Sequence, residues 1–453
     1  MSTVSVIQPT YSGIYAQQLQ SFLAAEMIVT RMQNHMVETA DGDFYAIVNL
    51  GYAGDLAMIS STGGGAYWSE IFPIPDTNIL SSADVQLEPD GQTLLTTYLN
   101  AQNQVVFQEY SYDDADQTWD PDTYAIVQGS GLNGSVHPTI VMNGKGTLLV
   151  AYTNLTLSGL ELEVDASVNG GNSWFPLLQV TDPLAYKGSA RLVEIDGKAD
   201  LVYTVDNTVN FASYSPATGF TTETILSYGT DQKDFYASHF STLVDGSELL
   251  IATDDGDHHL VVLEYDAQTG QWSVPYGVLA LNFATGAWTA PENSTGGSAA
   301  VTYAQLTLAA NGDIFVTYDD SQSNVIDVAE STDGGATFKP YAILALPPSN
   351  AGFPTRIIAP EYSDNSFVVM AQVRDPANPD AEALLSYVVP VGSTGNTPTI
   401  VSVAEPAVSA QAFSDRPLHA ELAALIDHAA AGAVEPSLGE AIHAHAVAHH
   451  WMV

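Results

Sequence analysis

Short runs of alternating apolar and polar residues, four to eight long, recur along most of the chain and are separated by Gly, Asn and Asp. That period of two marks half-buried β-strands rather than helices. Many of these runs are arranged as strand, Asp-Gly or Asn-Gly, strand. The phrase stands at Asp41-Gly42, Asp90-Gly91, Asn143-Gly144, Asp196-Gly197, Asp245-Gly246 and Asn311-Gly312, with a weaker seventh copy at Asp364-Asn365. The copies are spaced by 49, 53, 53, 49, 66 and 53 residues. Such dipeptides supply the positive φ of tight hairpin turns, so each is expected to join two antiparallel strands. One copy alone says little, whereas seven at near-constant spacing identify a repeat architecture.

A second phrase follows each turn by about 20 residues, as a repeat of this length leads one to expect. It is clearest at Ser331-Thr332-Asp333-Gly334-Gly335-Ala336-Thr337-Phe338, good at Ser167–Trp174, and degraded at Ser61–Trp68. Aromatic turns of related kind occur at Trp119, Phe220 and Trp272. Its logic is an Asp or Asn side chain that caps backbone N–H groups, a Gly at positive φ, and an aromatic that enters the core. These residues resemble the Asp-box (bacterial neuraminidase, sialidase-like) repeat. The resemblance implies an all-β propeller with the box between the third and fourth strands of each blade. The Asp-Gly turn then lies between the first and second. About 50 residues per unit leaves room for four strands and their turns. Seven units over residues 31–400 predict a seven-bladed ring. A six-bladed ring with one additional sheet is the alternative, since sialidase propellers have six blades.

The flanks differ. Residues 1–30 are expected to hold a short helix from Tyr15 to Met27 and to lend a strand that closes the ring. Residues 401–453 turn abruptly to Ala, His and Leu, and read as two short helices broken by Gly432 and Pro436. This helical tail carries six of the eleven histidines, with His445 and His449 on one helical face.

Composition narrows the partners. Ten Lys+Arg against 52 Asp+Glu give a formal charge of −42, which repels nucleic acid and anionic membranes. No apolar run is long enough to span a bilayer. There is no cysteine, so thiol and disulfide chemistry are excluded. The first 20 residues lack a basic n-region and an apolar core. With the acidity, the missing cysteines and the apolar end Trp451-Met452-Val453, they suggest an extracellular or cell-surface protein exported by a type I route. No cofactor is expected, although the acidity suits a divalent cation.

Candidate ligand contacts follow from the register. Six residues before each turn, where the inner strand begins, stand His35, Asp84, His137, Ala190 (followed by Arg191), His239 and Gln305, and Arg356 holds the same stretch of the irregular seventh unit. An even offset puts them on one strand face, and if that face meets the channel they surround its mouth. The long fifth interval inserts residues 273–298, where Trp288 could stack on a sugar. The sialidase resemblance fails in detail: no Arg-Ile-Pro motif occurs, and no third arginine joins Arg191 and Arg356. The expected function is therefore a non-catalytic propeller that binds a glycan or a protein partner. The competing reading is a polysaccharide-active glycoside hydrolase or lyase with its site at the channel mouth.

Overall fold

In the computed structural model the chain is all-β. The described residues run from 5 to 392, apart from 17–31, 51–55, 63, 79–81, 114–117, 129–134, 157–158, 182–185, 206–207, 216, 228–239, 255–259, 274–275, 278–279, 283–286, 290–303, 321–323, 349–354 and 375–381. The helices expected in the tail lie outside them, as does most of the helix expected over Tyr15–Met27. Tyr15 and Ala16 themselves end a β-strand.

Among the described residues, sheets of four or more strands follow one another in sequence, seven in number. Sheet 1 is Met36–Glu38, Phe44–Asn49, Leu56–Ser61 and Ser69–Ile74. Sheet 2 is Asp84–Leu87, Thr93–Leu99, Val105–Asp113 and Thr118–Gln128. Sheet 3 is Ser135–Met142, Leu148–Thr156, Gly159–Ser167 and Phe175–Thr181. Sheet 4 is Tyr186–Ile195, Lys198–Val205, Thr208–Ser215 and Gly219–Ser227. Sheet 5 is Phe240–Asp245, Glu248–Asp254 and Leu260–Asp266, with Gln271–Trp272 and Tyr276–Gly277 both on the third strand. Sheet 6 is Gln305–Ala309, Ile314–Asp320, Val325–Ser331 and Lys339–Ala345. Sheet 7 is Arg356–Ile358, Ser366–Arg374 and Glu382–Pro390. Its fourth strand is Thr10–Ala16, antiparallel to Glu382–Pro390, and Ser5–Ile7 pairs in parallel with the outer strand of sheet 6.

The cores show how the sheets are stacked. Among the described residues six hydrophobic clusters are each shared by two sheets adjacent in sequence, and a seventh joins sheet 7 to sheet 1 through Ile358, Val368 and Met370 against Phe44, Ile59 and Trp68. The sheets therefore close on themselves as a β-propeller. Middle strands are covered on both faces, which is why Phe44–Asn49 and Leu56–Ser61 are buried at every position. Outer strands such as Gly219–Ser227 are largely exposed.

The turns between first and second strands are of three kinds. Thr39–Asp43, Glu88–Thr93, Asn143–Thr147 and Ala309–Asp313 are wider loops, with Gly42, Gly91, Gly146 and Gly312 at positive φ. In sheet 3 the positive φ thus falls on Gly146, not on the Gly144 that the dipeptide pointed to. Sheet 4 uses Asp196-Gly197, both at positive φ, as a two-residue turn. Sheet 5 turns on Gly246-Ser247, one residue later than expected, because Asp245 still pairs with Glu248.

Between third and fourth strands, Ser331 Oγ accepts the N–H of Gly335 (2.9 Å), and Asp333 Oδ1 accepts that of Thr337 (2.9 Å). Ser167 and Asn169 do the same for Gly171 (3.0 Å) and Ser173 (3.0 Å). The last glycine of each such turn abuts the preceding sheet. A Cβ on Gly335 would lie 2.4 Å from Leu250, and one on Gly171 would lie 2.2 Å from Phe107. The aromatic then wedges into the same seam: Trp174 meets Phe107 edge-on at 5.6 Å.

Candidate functional site

The inner strands present an open edge to the axis of the ring, and edge N–H groups need partners. Here the neighbouring sheet supplies them. Asn34 O accepts from Val85 N (2.8 Å), Thr139 Oγ1 from Leu192 N (3.2 Å), Ser241 Oγ from Leu306 N (3.0 Å) and Asp319 Oδ2 from Thr355 N (3.0 Å).

Asp84 is the most connected of these acceptors. Its Oδ1 takes the N–H of Asn34 in the approach to sheet 1 (2.7 Å), and its Oδ2 takes that of Ile140 in sheet 3 (2.8 Å). Arg191 of sheet 4 donates through Nη1 to Asp84 Oδ1 and through Nη2 to Glu361 Oε1 at 2.8 Å. Asp84 is completely buried and Arg191 5% exposed. Burial pushes the Asp84 carboxyl up to about 6, against the opposing pull of Arg191 and the two amides. Burial also works against the Arg191 charge, but Asp84 and Glu361 outweigh it and hold the guanidinium protonated.

Glu361 belongs to a segment that sequence reasoning missed. After the three-residue strand Arg356–Ile358, residues 359–363 leave sheet 7. Tyr362 and Ser363 add in parallel to the inner strand of sheet 6. Pro360 O accepts from Thr307 Oγ1 (2.8 Å), and Tyr362 OH donates to Val244 O of sheet 5 (2.7 Å). Ser363 Oγ donates to Glu38 of sheet 1. A segment of sheet 7 that touches sheets 1, 4, 5 and 6 must cross the axis. The available signal was the offset: eight residues separate Arg356 from Asp364, where the other units have six.

The remaining expected positions divide. His35 and Gln305 are buried, at 3% and 8% exposure. His137 is half-buried and holds φ +58°, beside a break in register between Val136 and Thr139. Arg356 is half-buried at the start of its strand. Trp288 lies in a separate two-stranded hairpin, Ala280–Asn282 with Ala287–Thr289, opposite Leu281. His239 and the tail histidines lie outside the described residues. The structure thus unites Asp84 and Arg191, and adds Glu361. It does not place His35, Asp84, Arg191 and Gln305 on a wet channel wall. Strand side chains stand perpendicular to their sheet. In a radial ring they therefore point between neighbouring sheets, and only the backbone edge meets the axis. Among the described residues no group of three or more His, Asp and Glu is arranged to hold a metal ion. Among them, too, no helix is long and apolar enough to cross a membrane.

No family model matches the chain, and no curated protein does. Solved structures do resemble it. A lectin of Aleuria aurantia in complex with alpha-methyl-L-fucoside is 14% identical over 71% of this chain and 97% of its own, with a TM-score of 0.46. AofleA from Arthrobotrys oligospora is 13% identical over 75% and 96%, with a TM-score of 0.44. The alpha-L-arabinofuranosidase Arb93A from Fusarium graminearum is 11% identical over 86% and 99%, with a TM-score of 0.44.

Proposed function

We propose that this chain is a seven-bladed propeller of the Asp-box type, secreted or held at a cell surface, that binds a neutral glycan or a protein partner without transforming it. The blade count is supported by seven sheets and seven shared cores. The Asp-box assignment is supported by the paired Ser and Asp or Asn caps of two third-to-fourth-strand turns.

The observation that carries the functional reading is the pairing and burial of Arg191. Two carboxylates neutralise its guanidinium and the side chain is buried, so it is not presented to a uronate or sialate carboxylate. The net charge of −42 steers anionic ligands away as well. The polar groups around the axis hold sheets together, which suits a rigid scaffold whose binding surface is the end where the inner strands begin. His137, Arg356 and Trp288 are the candidate contacts there.

A glycan array that includes neutral and anionic sugars tests this reading, followed by titration calorimetry on H137A and R356A. Binding to neutral glycans, weakened by either variant with the melting temperature unchanged, supports it. Recognition confined to acidic sugars overturns the neutral-ligand reading. New reducing ends, or a rise in ultraviolet absorbance on a uronic-acid polymer, overturns the non-catalytic one. Export by a type I route is tested by deleting residues 405–453, which should trap a folded ring inside the cell.

A further inference from the structure

Sheet 3 carries a charge arrangement that its side chains do not balance by themselves. Tyr152 OH lies 2.8 Å from Glu163 Oε2 and 2.9 Å from Asp165 Oδ2. A phenol has one hydrogen to donate, and an ionised carboxylate only accepts. If both carboxylates were ionised, one of these two contacts would set a phenol lone pair against a carboxylate oxygen with no hydrogen between them. Both contacts are satisfied when one carboxyl is protonated: it donates to the phenol oxygen, and the phenol donates to the other carboxylate.

The burial of the cluster sharpens the need. Tyr152 is 1% exposed and Asp165 7%. Both ion pairs found among the described residues belong to Arg191, so neither carboxylate of the cluster has a basic side chain against it. Glu163 has a second donor, Asn154 Nδ2 on its Oε1 at 2.9 Å. Among the described residues the more buried Asp165 has Tyr152 as its one side-chain donor within bonding distance. Of the two, Asp165 is the better proton holder.

We propose that Asp165 keeps its proton above the pH at which a free Asp loses it, that in this form it donates to Tyr152, and that loss of this proton weakens the seam between sheets 2 and 3 as pH rises. The groups facing Asp165 can be named from each packed element. Glu163 flanks it on its own strand, Tyr152 faces it from the second strand, and Pro176 stands opposite it on the outer strand. The seam itself is apolar, with the Tyr152 ring packed in one cluster with Phe107 and Val127 of sheet 2. Burial first, and then the Glu163 charge, raise the Asp165 carboxyl above its ordinary value, and the Tyr152 hydrogen bond opposes them. A carboxyl raised in the folded state binds its proton more tightly there than in the unfolded chain. Its stabilisation is complete below the unfolded value and is lost as pH rises through the folded one.

Carboxyl-carbon NMR of the full chain, with the Asp165 signal assigned by its disappearance in D165N, tests the proposal. We expect a midpoint well above the ordinary Asp value of about 3.9. Between those two values the unfolding constant of the wild type should rise about tenfold per pH unit relative to D165N, because one proton is linked. D165N keeps a donor toward the phenol and should therefore flatten the pH profile while retaining stability at pH 8. An Asp165 midpoint at or below the ordinary value overturns the proposal. So does a D165N variant that is destabilised equally at every pH. If D165N fails to fold, the Asp165 signal is assigned through its backbone correlations and E163Q provides the second measurement. With the Glu163 charge removed, the Asp165 midpoint should fall, and an unmoved midpoint again overturns the proposal.

Discussion

Replacing Arg191 by Met keeps an apolar stem in place and removes the charge. Asp84 would stay fully buried, with the N–H groups of Asn34 and Ile140 as its donors. Breaking a buried pair from one side ordinarily costs about 3–5 kcal/mol, because the remaining charge is uncompensated. Asp84 has an escape, since it can protonate, and this caps the penalty. In the wild type its carboxyl sits at about 6, so at pH 8 the ionised form is favoured over the protonated one by about two units. At about 1.4 kcal/mol per unit, a variant forced to the protonated form loses about 3 kcal/mol at pH 8. At pH 5 the carboxyl is already largely protonated in both proteins, so this difference nearly vanishes. Loss of the Glu361 contact, whose side chain is 26% exposed, adds less than about 1 kcal/mol at either pH. Urea unfolding of R191M and wild type at both pH values measures the difference. The expected losses are about 3 kcal/mol at pH 8 and about 1 kcal/mol at pH 5. An equal loss at both would mean that Arg191 matters only as packing, and would refute the electrostatic reasoning.

Other outcomes follow from the same geometry. Ala at position 335 meets both a φ of +93° and a contact 2.4 Å from Leu250, so G335A should cost about 2–4 kcal/mol in chemical denaturation; shortening Leu250 as well should relieve part of that loss, and strict additivity would argue against the clash. D333A removes the cap on Thr337 and should cost about 1 kcal/mol by thermal melting. Its hydrogen bonds from Thr337 and Ser331 lower the Asp333 carboxyl, so this contribution is present above the unfolded value and lost as pH falls through the folded one. Glu88 has a buried oxygen without a hydrogen-bond partner, and burial followed by the charges of Asp90, Glu109 and Glu194 brings it up to about 7; E88Q should therefore flatten the decline in wild-type stability between about pH 4 and pH 7, and an unchanged slope would show Glu88 to be ionised throughout. Deleting residues 1–16 strips partners from the outer strands of sheets 6 and 7, and should lower the melting temperature and raise self-association in size-exclusion chromatography.

How much of this was legible in the sequence follows from which groups set each feature. The sheets could be read because their signals are local: a positive-φ residue at the hairpin, a Ser and an Asp or Asn four residues before the N–H groups they cap, and apolar alternation. The failures at Gly144 and Asp245 are also local. A dipeptide pattern does not distinguish a two-residue turn from a wider loop that defers the positive φ to Gly146. The channel network was only half legible. The register count placed Asp84 and Arg191 at one level of the ring, one residue out of phase, but said nothing of what either would meet. Glu361 is 170 residues from Arg191 along the chain, and no periodic signal links positions that the closure of a ring brings together.

The burial of the inner register has a physical cause that applies beyond these residues. Polar groups at the start of the inner strands look like ligand contacts, because a channel suggests a wet wall. Yet a radial ring turns strand faces toward neighbouring sheets and leaves the axis lined by backbone edges. Each such edge carries N–H groups that pair with no strand of their own sheet, and leaving one buried and unpaired costs about 1–3 kcal/mol. Asp84, Thr139 and Ser241 meet that need from one sheet to the next, so a polar residue there is required by the closure of the ring whether or not a ligand exists. Ligand recognition must then use groups that reach solvent, and among the expected contacts the half-buried His137 and Arg356 are more exposed than the buried Asp84 and Arg191.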